Sequence, residues 1–411
     1  MRVLLINPTL GEAYGQEAVL HQLGEGLTRY GHKVFYVGES VLGDFDPKDG
    51  YALVPGLSRS AWTDRGRHSP LQPLLNSIRC VAPDVVHLHD ALEARLLRGI
   101  RQRYPTLFTA HTMASSCPAS TRLRNHSACQ ARAGIGCLFA DRSDRCLGDF
   151  KSLLRKLHAL ESYRRRDCEL KKLPAVIAVS SYVATTLLAN GYHPERVHII
   201  ENPVIVHRNK APTEVRQPLF VTASRLVAQK GIRIALVALS RLCDRKWSYC
   251  IIGDGPERSS LLEFSKTLGV AGRVRFLPHM AQKPLHALLQ TATAVLQPNS
   301  GPEPFGLSVS ESLALGTPVI VSRVPCFDTR LKDTQGVHFF EASDPDAFAE
   351  ILKRALDGGL ERPEARSQEN TFIDDIESLY RQVRTAFLSR VSQHVGTLPI
   401  DGKGSFQVGR G

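Results

Sequence analysis

Apolar residues along the chain gather into short unbroken runs separated by longer amphipathic stretches, the pattern of buried parallel strands alternating with helices. In the first half the strand-like runs are Arg2 to Ile6, Lys33 to Gly38, Asp84 to His89, Thr106 to His111, Ala175 to Val179 and Val197 to Ile200. In the second half they are Leu219 to Ala223, Tyr249 to Ile252, Val274 to Leu277, Ala294 to Gln297, Pro318 to Ser322 and Val337 to Phe340. Helical periodicity fills the gaps: Gln16 to Tyr30, closed by Gly31; an Arg-rich stretch, Phe150 to Leu173; and a segment capped by Ser180 and Ser181. The class predicted is α/β, with a doubly wound sheet appearing twice. A chain of 411 residues is long enough for two cores. Pro203 to Pro218 holds three prolines and no sustained period, which puts the boundary there: residues 1–203, then 204–370. Residues 371–391 carry Ile373, Ile376, Leu379, Tyr380, Val383 and Phe387 at helical spacing, and 392–411 reads as a poorly ordered tail. Asp44 to Pro73 reads as an excursion from the sheet.

The stretch Ala294 to Arg323 concentrates the chemistry. It predicts a buried strand, a Pro- and Gly-rich loop, a helix from about Leu307 to Leu315 stopped by Gly316, and a second buried strand. Glu303 lies on the loop, Gly306 at the helix opening and Glu311 inside the helix. Such a helix start offers unpaired N–H groups and a positive dipole end to an anion, while carboxylates accept hydrogen bonds from hydroxyls. A phosphate beside a polyol describes a sugar nucleotide. Read alone, Glu303 is a loop residue and Glu311 a capping one.

Other strand ends add to this cleft. Arg225 and Lys230 flank the helix start after Leu219 to Ala223, where Arg can fork onto a diphosphate and Lys supply a point charge; otherwise they are surface cations. Gly253 and Gly255 make a tight turn after the next strand, and His279 and Met280 lie on a loop that could face a base ring. In the first half, His89, Asp90, His111 and Thr112 fall at carboxyl ends of strands, and His111 is the preferred site residue. A lone histidine there is more often structural. Gly11 and Gly15 are four apart without a third glycine, so the first loop lets a ligand approach the backbone but is no nicotinamide fingerprint.

Composition narrows the picture. The content is that of an ordinary globular protein, no apolar run reaches transmembrane length, and Met1 to Leu10 leads into a strand pattern rather than a signal peptide, so a cytoplasmic location is expected. The net charge of +12 comes almost wholly from Arg95 to Lys172, with 17 Lys and Arg against 6 Asp and Glu. That segment fits a solvated helix face, a phosphorylated acceptor or an anionic membrane surface; it has few aromatics for stacking nucleic acid. Nine cysteines, an odd number, argue against a disulfide framework, and Cys80, Cys168, Cys243, Cys250 and Cys326 read as small core residues. Cys117, Cys129, Cys137 and Cys146, with His126, sit in an insert at about 113–149. No Cys-x-x-Cys pair is present; structural zinc, two redox-sensitive disulfides and unlinked thiols all stay open.

Together these strings resemble the retaining glycosyltransferases of family 4, of the GT-B type. The match rests on PDVVHLHD (Pro83 to Asp90), the strand ending in His111, AVIAVSSYVATTLLANGY (Ala175 to Tyr192), IIEN (Ile199 to Asn202), SRL with KG four residues on, IIGDGPE (Ile251 to Glu257) and EPFGLSVSESLALGTPVI (Glu303 to Ile320). The resemblance implies two Rossmann-like domains facing across a cleft, with residues 371–391 crossing back to the first. It implies Arg225 and Lys230 on the diphosphate and Glu311 on the ribose. Glu303 and the segment Phe305, Gly306, Leu307 and Ser308 would meet the donor sugar, His111 would face it from the other domain, and Gly15 would approach diphosphate or acceptor. Ala13-Tyr14-Gly15 stands where a glycine pair is usual, Ser224 where Gly is frequent, and Pro278 where Gly often precedes the base-binding loop.

The activity implied is transfer from a nucleotide-diphosphate sugar to an acceptor hydroxyl in polysaccharide or glycoconjugate biosynthesis, with retention and with no cofactor required for catalysis. A retaining glycosidase needs two carboxyl groups roughly 5 to 5.5 Å apart. Glu303 and Glu311 are separated by a partly helical segment at ~1.5 Å per residue, which favours same-face displacement instead. A sugar-nucleotide epimerase, a silent nucleotide-sugar binder and a nucleic-acid-binding protein are the rivals. The acceptor expected first, from the basic segment, is a lipid-linked precursor at the inner membrane face, with a soluble small molecule or a polysaccharide end as the alternatives.

Overall fold

The computed structural model describes residues 1–11, 15–43, 45–57, 70–90, 92–124, 127–139, 146–147, 152–208, 217–365 and 371–395. Ala13, Tyr14, His126 and the tail from 396 onward lie outside the described residues.

Two parallel sheets carry the architecture. The first has seven strands in the spatial order Val197–Ile199, Val176–Ala178, Thr106–Ala110, Val85–Leu88, Arg2–Ile6, Lys33–Gly38 and Tyr51–Leu53. The second has six: Val274–Leu277, Ser248–Ile252, Leu219–Ala223, Ala294–Gln297, Val319–Ser322 and Val337–Phe340. Strand interiors are covered on both faces, as with Val3, Leu4, Leu5 and Ile6 at 0% exposure, which is why they read as continuous apolar runs. Strand order reverses beside Arg2–Ile6 in one sheet and beside Leu219–Ala223 in the other, and those switch points open crevices at the carboxyl ends.

Some sequence expectations change. Asp44 to Pro73 is not wholly an excursion: Tyr51–Leu53 forms the sheet edge, and Leu71 begins a helix. The strand is three residues long with Tyr51 and Leu53 exposed, so it leaves almost no periodic signal. The C-terminal helix runs Phe372–Val395, past the point where the sequence reads as a tail. It returns to the first domain, where Phe372, Ile373, Ile376, Leu379, Tyr380 and Val383 join a cluster with Val3, Leu5, Leu23 and Leu107. Each fully buried aliphatic side chain there contributes about 1.5–3 kcal/mol.

The basic segment is partly internal. Arg98, Arg101 and Lys172 converge on the buried carboxylate of Glu169, tying helix Ala94–Arg101 to helix Leu153–Leu170. Arg122, itself buried, donates to the carbonyls of Ser116 and Ala131, and Arg166 donates to that of Ala114. Three of the expected core cysteines are exposed: Cys80 and Cys168, because a small apolar residue on a helix face gives no sign of which side it takes, and Cys243, because it falls in the turn after helix Ile232–Ser240; Cys250 and Cys326 are buried.

Candidate functional site

A cleft of about 570 Å³ lies between the two sheets, within the usual range for small-molecule sites. Its first-domain wall is Gly15, Gln16, Glu17, Ala18, His111 and Asn202; the second domain supplies Arg225, Lys230, Gly253, Glu303, Phe305, Gly306, Leu307, Ser308 and Glu311, among others. Gly255 stays outside this wall: a Cβ there would lie 2.4 Å from the carbonyl oxygen of Leu226, so it is pressed against the preceding loop. His279 and Met280 do line the cleft.

The loop 303–306 is anchored from both sides. Lys230 Nζ donates to Glu303 Oε2 at 2.5 Å and Asn299 Nδ2 donates to the same oxygen at 2.7 Å. Lys230, expected on a diphosphate, is therefore paired with Glu303 here. From the first domain, Ser180 Oγ donates to the carbonyl of Pro304 at 2.6 Å. Phe305 is buried in the first domain's core, and the Arg330 guanidinium lies 3.9 Å from its ring centroid. Gly306 takes φ +84°, and a Cβ would come within 2.5 Å of the Phe327 ring, so only glycine opens helix Leu307–Ala314 this way. Gln297 fixes Ser308 through a 2.6 Å hydrogen bond to Oγ. Glu311, one turn further on, is buried with Oε1 3.5 Å from His286 Nε2. Glu303 and Glu311 thus have separate partners.

On the opposite wall, Gln16 Nε2 donates to Asn7 Oδ1 at 2.7 Å and to the carbonyl of His89 at 2.8 Å, joining the helix start to two strand ends. His89 Nδ1 and His111 Nε2 share a hydrogen bond of 2.9 Å. Behind them His87 bonds Tyr380 through Nδ1 at 2.8 Å and Thr109 through Nε2 at 2.6 Å. Burial pushes His111 down to about 3 and holds His87 and His89 well below the ordinary imidazole value, so the ring facing the cleft is neutral at pH 7. Burial, with the charge of Asp90 adding to it, raises the Glu17 carboxyl.

Periodicity and motif matching passed over Gln16, Glu17, Gln297, Asn299 and His286. Glu17 gave a signal in lying two residues after Gly15; the others are ordinary strand, loop and helix residues until the fold brings them together.

The insert is organised around Arg122. Cys117 is buried at its base, and Cys129 and Cys146 are half-buried. Burial raises the Cys137 thiol, with the neighbouring Cys117 and Cys129 adding to the shift. Cys117, Cys129 and Cys137 are free thiols, and no three His, Cys, Asp or Glu among the described residues are arranged to hold a metal ion. No helix among the described residues is long and apolar enough to cross a membrane.

Two family models match in succession: Glycosyltransferase Family 4 over residues 13–208 and Glycosyl transferases group 1 over residues 205–371. Among curated proteins the chain is similar to glycogen synthase of Mycobacterium tuberculosis, 26% identical over 361 residues covering 79% of this chain and 78% of that one. It is also similar to a lipopolysaccharide core biosynthesis glycosyltransferase of Rhizobium meliloti, 26% identical over 239 residues covering 56% and 68%. Among solved structures the fold matches WaaG, a glycosyltransferase involved in lipopolysaccharide biosynthesis, with a TM-score of 0.65 at 15% identity over 97% and 96% of the chains. It also matches HepE of Anabaena in complex with UDP, with a TM-score of 0.60 at 15% identity over 97% and 100%.

Proposed function

The chain belongs to family 4 of the glycosyltransferases and moves a sugar from a nucleotide-diphosphate sugar to an acceptor, and we propose that it does so with retention of anomeric configuration, in polysaccharide or glycoconjugate biosynthesis. The observation that supports this most is one cleft containing two cations, a helix start and two differently engaged carboxylates. In this reading Arg225, Lys230 and the N-terminus of helix Leu307–Ala314 stabilise the departing diphosphate as it gains charge. Glu311 takes the ribose hydroxyls. Glu303 orients the donor sugar while Lys230 is shared between it and the phosphate. His111, neutral, meets a sugar hydroxyl from the other wall, and the loop at Gly15 meets the acceptor. The leaving phosphate accepts the acceptor's proton on the face it departs from. The anomeric configuration of the product by NMR tests retention; a covalent sugar adduct on Glu303, trapped and seen by mass spectrometry, would overturn same-face displacement. Product analysis with and without acceptor separates transfer from epimerisation and from silent binding.

For the acceptor we favour a lipid-linked precursor at an anionic membrane face. Ile135 and Phe139 are 65% and 80% exposed on a turn packed against helix Leu153–Leu170, whose Leu153 and Leu154 are 62% and 73% exposed beside exposed Arg155. Bulky apolar side chains among cations suit a lipid interface. Phe139→Ser with Leu154→Ser is expected to reduce sedimentation with phosphatidylglycerol vesicles; unchanged sedimentation argues for a soluble acceptor. Structural zinc at Cys117, Cys129, Cys137 and Cys146 is a separate proposal that rests on the clustering of these thiols in the sequence; the described side chains show no group arranged to hold it. Stoichiometric zinc in protein purified without chelator supports it, and none under reducing conditions removes it.

A further inference from the structure

Glu311 is backed by a histidine that the motif does not include. His286 lies on helix Gln282–Thr291 at 0% exposure. The backbone N–H of His207 donates to its Nδ1 at 3.1 Å. A backbone N–H can only donate, so Nδ1 must carry the lone pair, and in the neutral ring the proton sits on Nε2. That Nε2 makes no hydrogen bond among the described residues, yet it faces Glu311 Oε1 across 3.5 Å. A buried N–H held just beyond hydrogen-bond range of a site carboxylate closes onto it with a small shift of either group. His207 belongs to the segment joining the domains, and that segment is clipped to the second domain at two further points. Val206 packs into its core, and Arg208 donates to the carbonyl of Ala314 at 3.0 Å, the last residue of the helix that carries Glu311.

We propose that His286 is a positioning residue for the donor site: the interdomain segment fixes its tautomer through the His207 N–H, and its Nε2–H holds the Glu311 carboxylate in the orientation that receives the donor's vicinal hydroxyls. This rests on the reading that Glu311 binds the donor. It also makes the interdomain segment a contributor to donor affinity, because moving His207 off Nδ1 releases the ring to the other tautomer and turns a lone pair toward the carboxylate.

Paired variants test it. Glutamine at 286 keeps an N–H donor near the Nε2 position; asparagine keeps an acceptor near Nδ1 and loses the donor toward Glu311. Titration calorimetry with UDP-glucose and GDP-mannose, using whichever binds the parent, is expected to give His286→Gln a donor Kd within about 3-fold of the parent. His286→Asn is expected to weaken binding about 10-fold with kcat changed less than about 3-fold, the size typical of groups that orient a ligating residue. In a Glu311→Ala background His286→Asn should add nothing further. Equal losses in both variants, or an additive loss in that background, would reduce His286 to a packing role. If Glu311→Ala leaves donor binding unchanged, the site assignment itself fails; if Glu311→Ala weakens binding and His286→Asn does not, only the positioning claim fails. Nitrogen-15 shifts of the histidine rings give a check that needs no variant. The Nε2–H form is expected for His286, and the Nδ1–H form overturns the proposal.

Discussion

Glu303 Oε2 accepts hydrogen bonds from both Lys230 Nζ and Asn299 Nδ2, so a carboxylate on a Pro-rich loop is held by one residue of that same loop and by one from the helical turn Ala228–Lys230. Removing the ammonium should therefore act twice, on the phosphate and on the carboxylate. Lys230→Met is expected to lower kcat by about 10²–10³-fold, the cost of losing one aimed charge at a developing anion. Asn299→Ala, which leaves Lys230 in place, should cost less. Steady-state kinetics on both decide it, and equal effects would assign Lys230 no role beyond anchoring Glu303.

Gly15 and Leu307 meet across the cleft. A Cβ at Gly15 would stand 2.9 Å from Leu307 Cδ1, the far end of a movable side chain. Gly15→Ala should keep the domains slightly apart and raise the donor KM several-fold, and adding Leu307→Ala should recover most of the loss. A double variant no better than Gly15→Ala would place the damage in the loop backbone instead.

The three neutral histidines set an acid limit. His111 is near 3 in the folded protein, and His87 and His89 are also depressed, while an unfolded imidazole titrates near 6.5. Below about 6.5 the unfolded chain therefore binds protons that the folded one refuses. Stability is lost as pH falls, by up to ~1.4 kcal/mol per pH unit for each ring. Urea unfolding between pH 7 and 5 should show this loss above the range where most carboxylates titrate. Equal stability at the two pH values would mean that the rings take up protons in place. Tyr380→Phe, which unpairs His87 Nδ1, should cost a further ~1–3 kcal/mol.

Cys326 lies between the domains, with Sγ 3.4 Å from the carbonyl of Pro304 and 3.9 Å from Ser180 Oγ. Burial, reinforced by Glu303, pushes its thiol up to about 12. At pH 8 it should alkylate far more slowly than the exposed Cys80, Cys168 and Cys243, and a bound nucleotide sugar should slow it further. Peptide mass spectrometry over time reads the order; early labelling of Cys326 would mean that the domains part readily.

Most of the fold was legible because buried parallel strands write themselves as apolar runs. Leu219–Ala223, Val274–Leu277, Ala294–Gln297 and Val337–Phe340 stand where the pattern placed them. That Glu303, Gly306 and Glu311 line one cleft was legible for a related reason: they lie on one loop and the helix it opens, close together in sequence. The edge strand Tyr51–Leu53 was not legible, since an exposed three-residue strand carries no alternation to read.

By itself, then, the sequence determined the class of fold, the division into two sheets and the grouping of Glu303, Gly306 and Glu311 on one loop and helix, because each depends on local periodicity or spacing. Only the tertiary structure decided what those residues touch. Lys230 meets Glu303 across 73 positions, His207 meets His286 across 79, and His87 meets Tyr380 across 293. Contacts at that separation depend on how sheets, linker and returning helix pack, and no short window of sequence contains both partners.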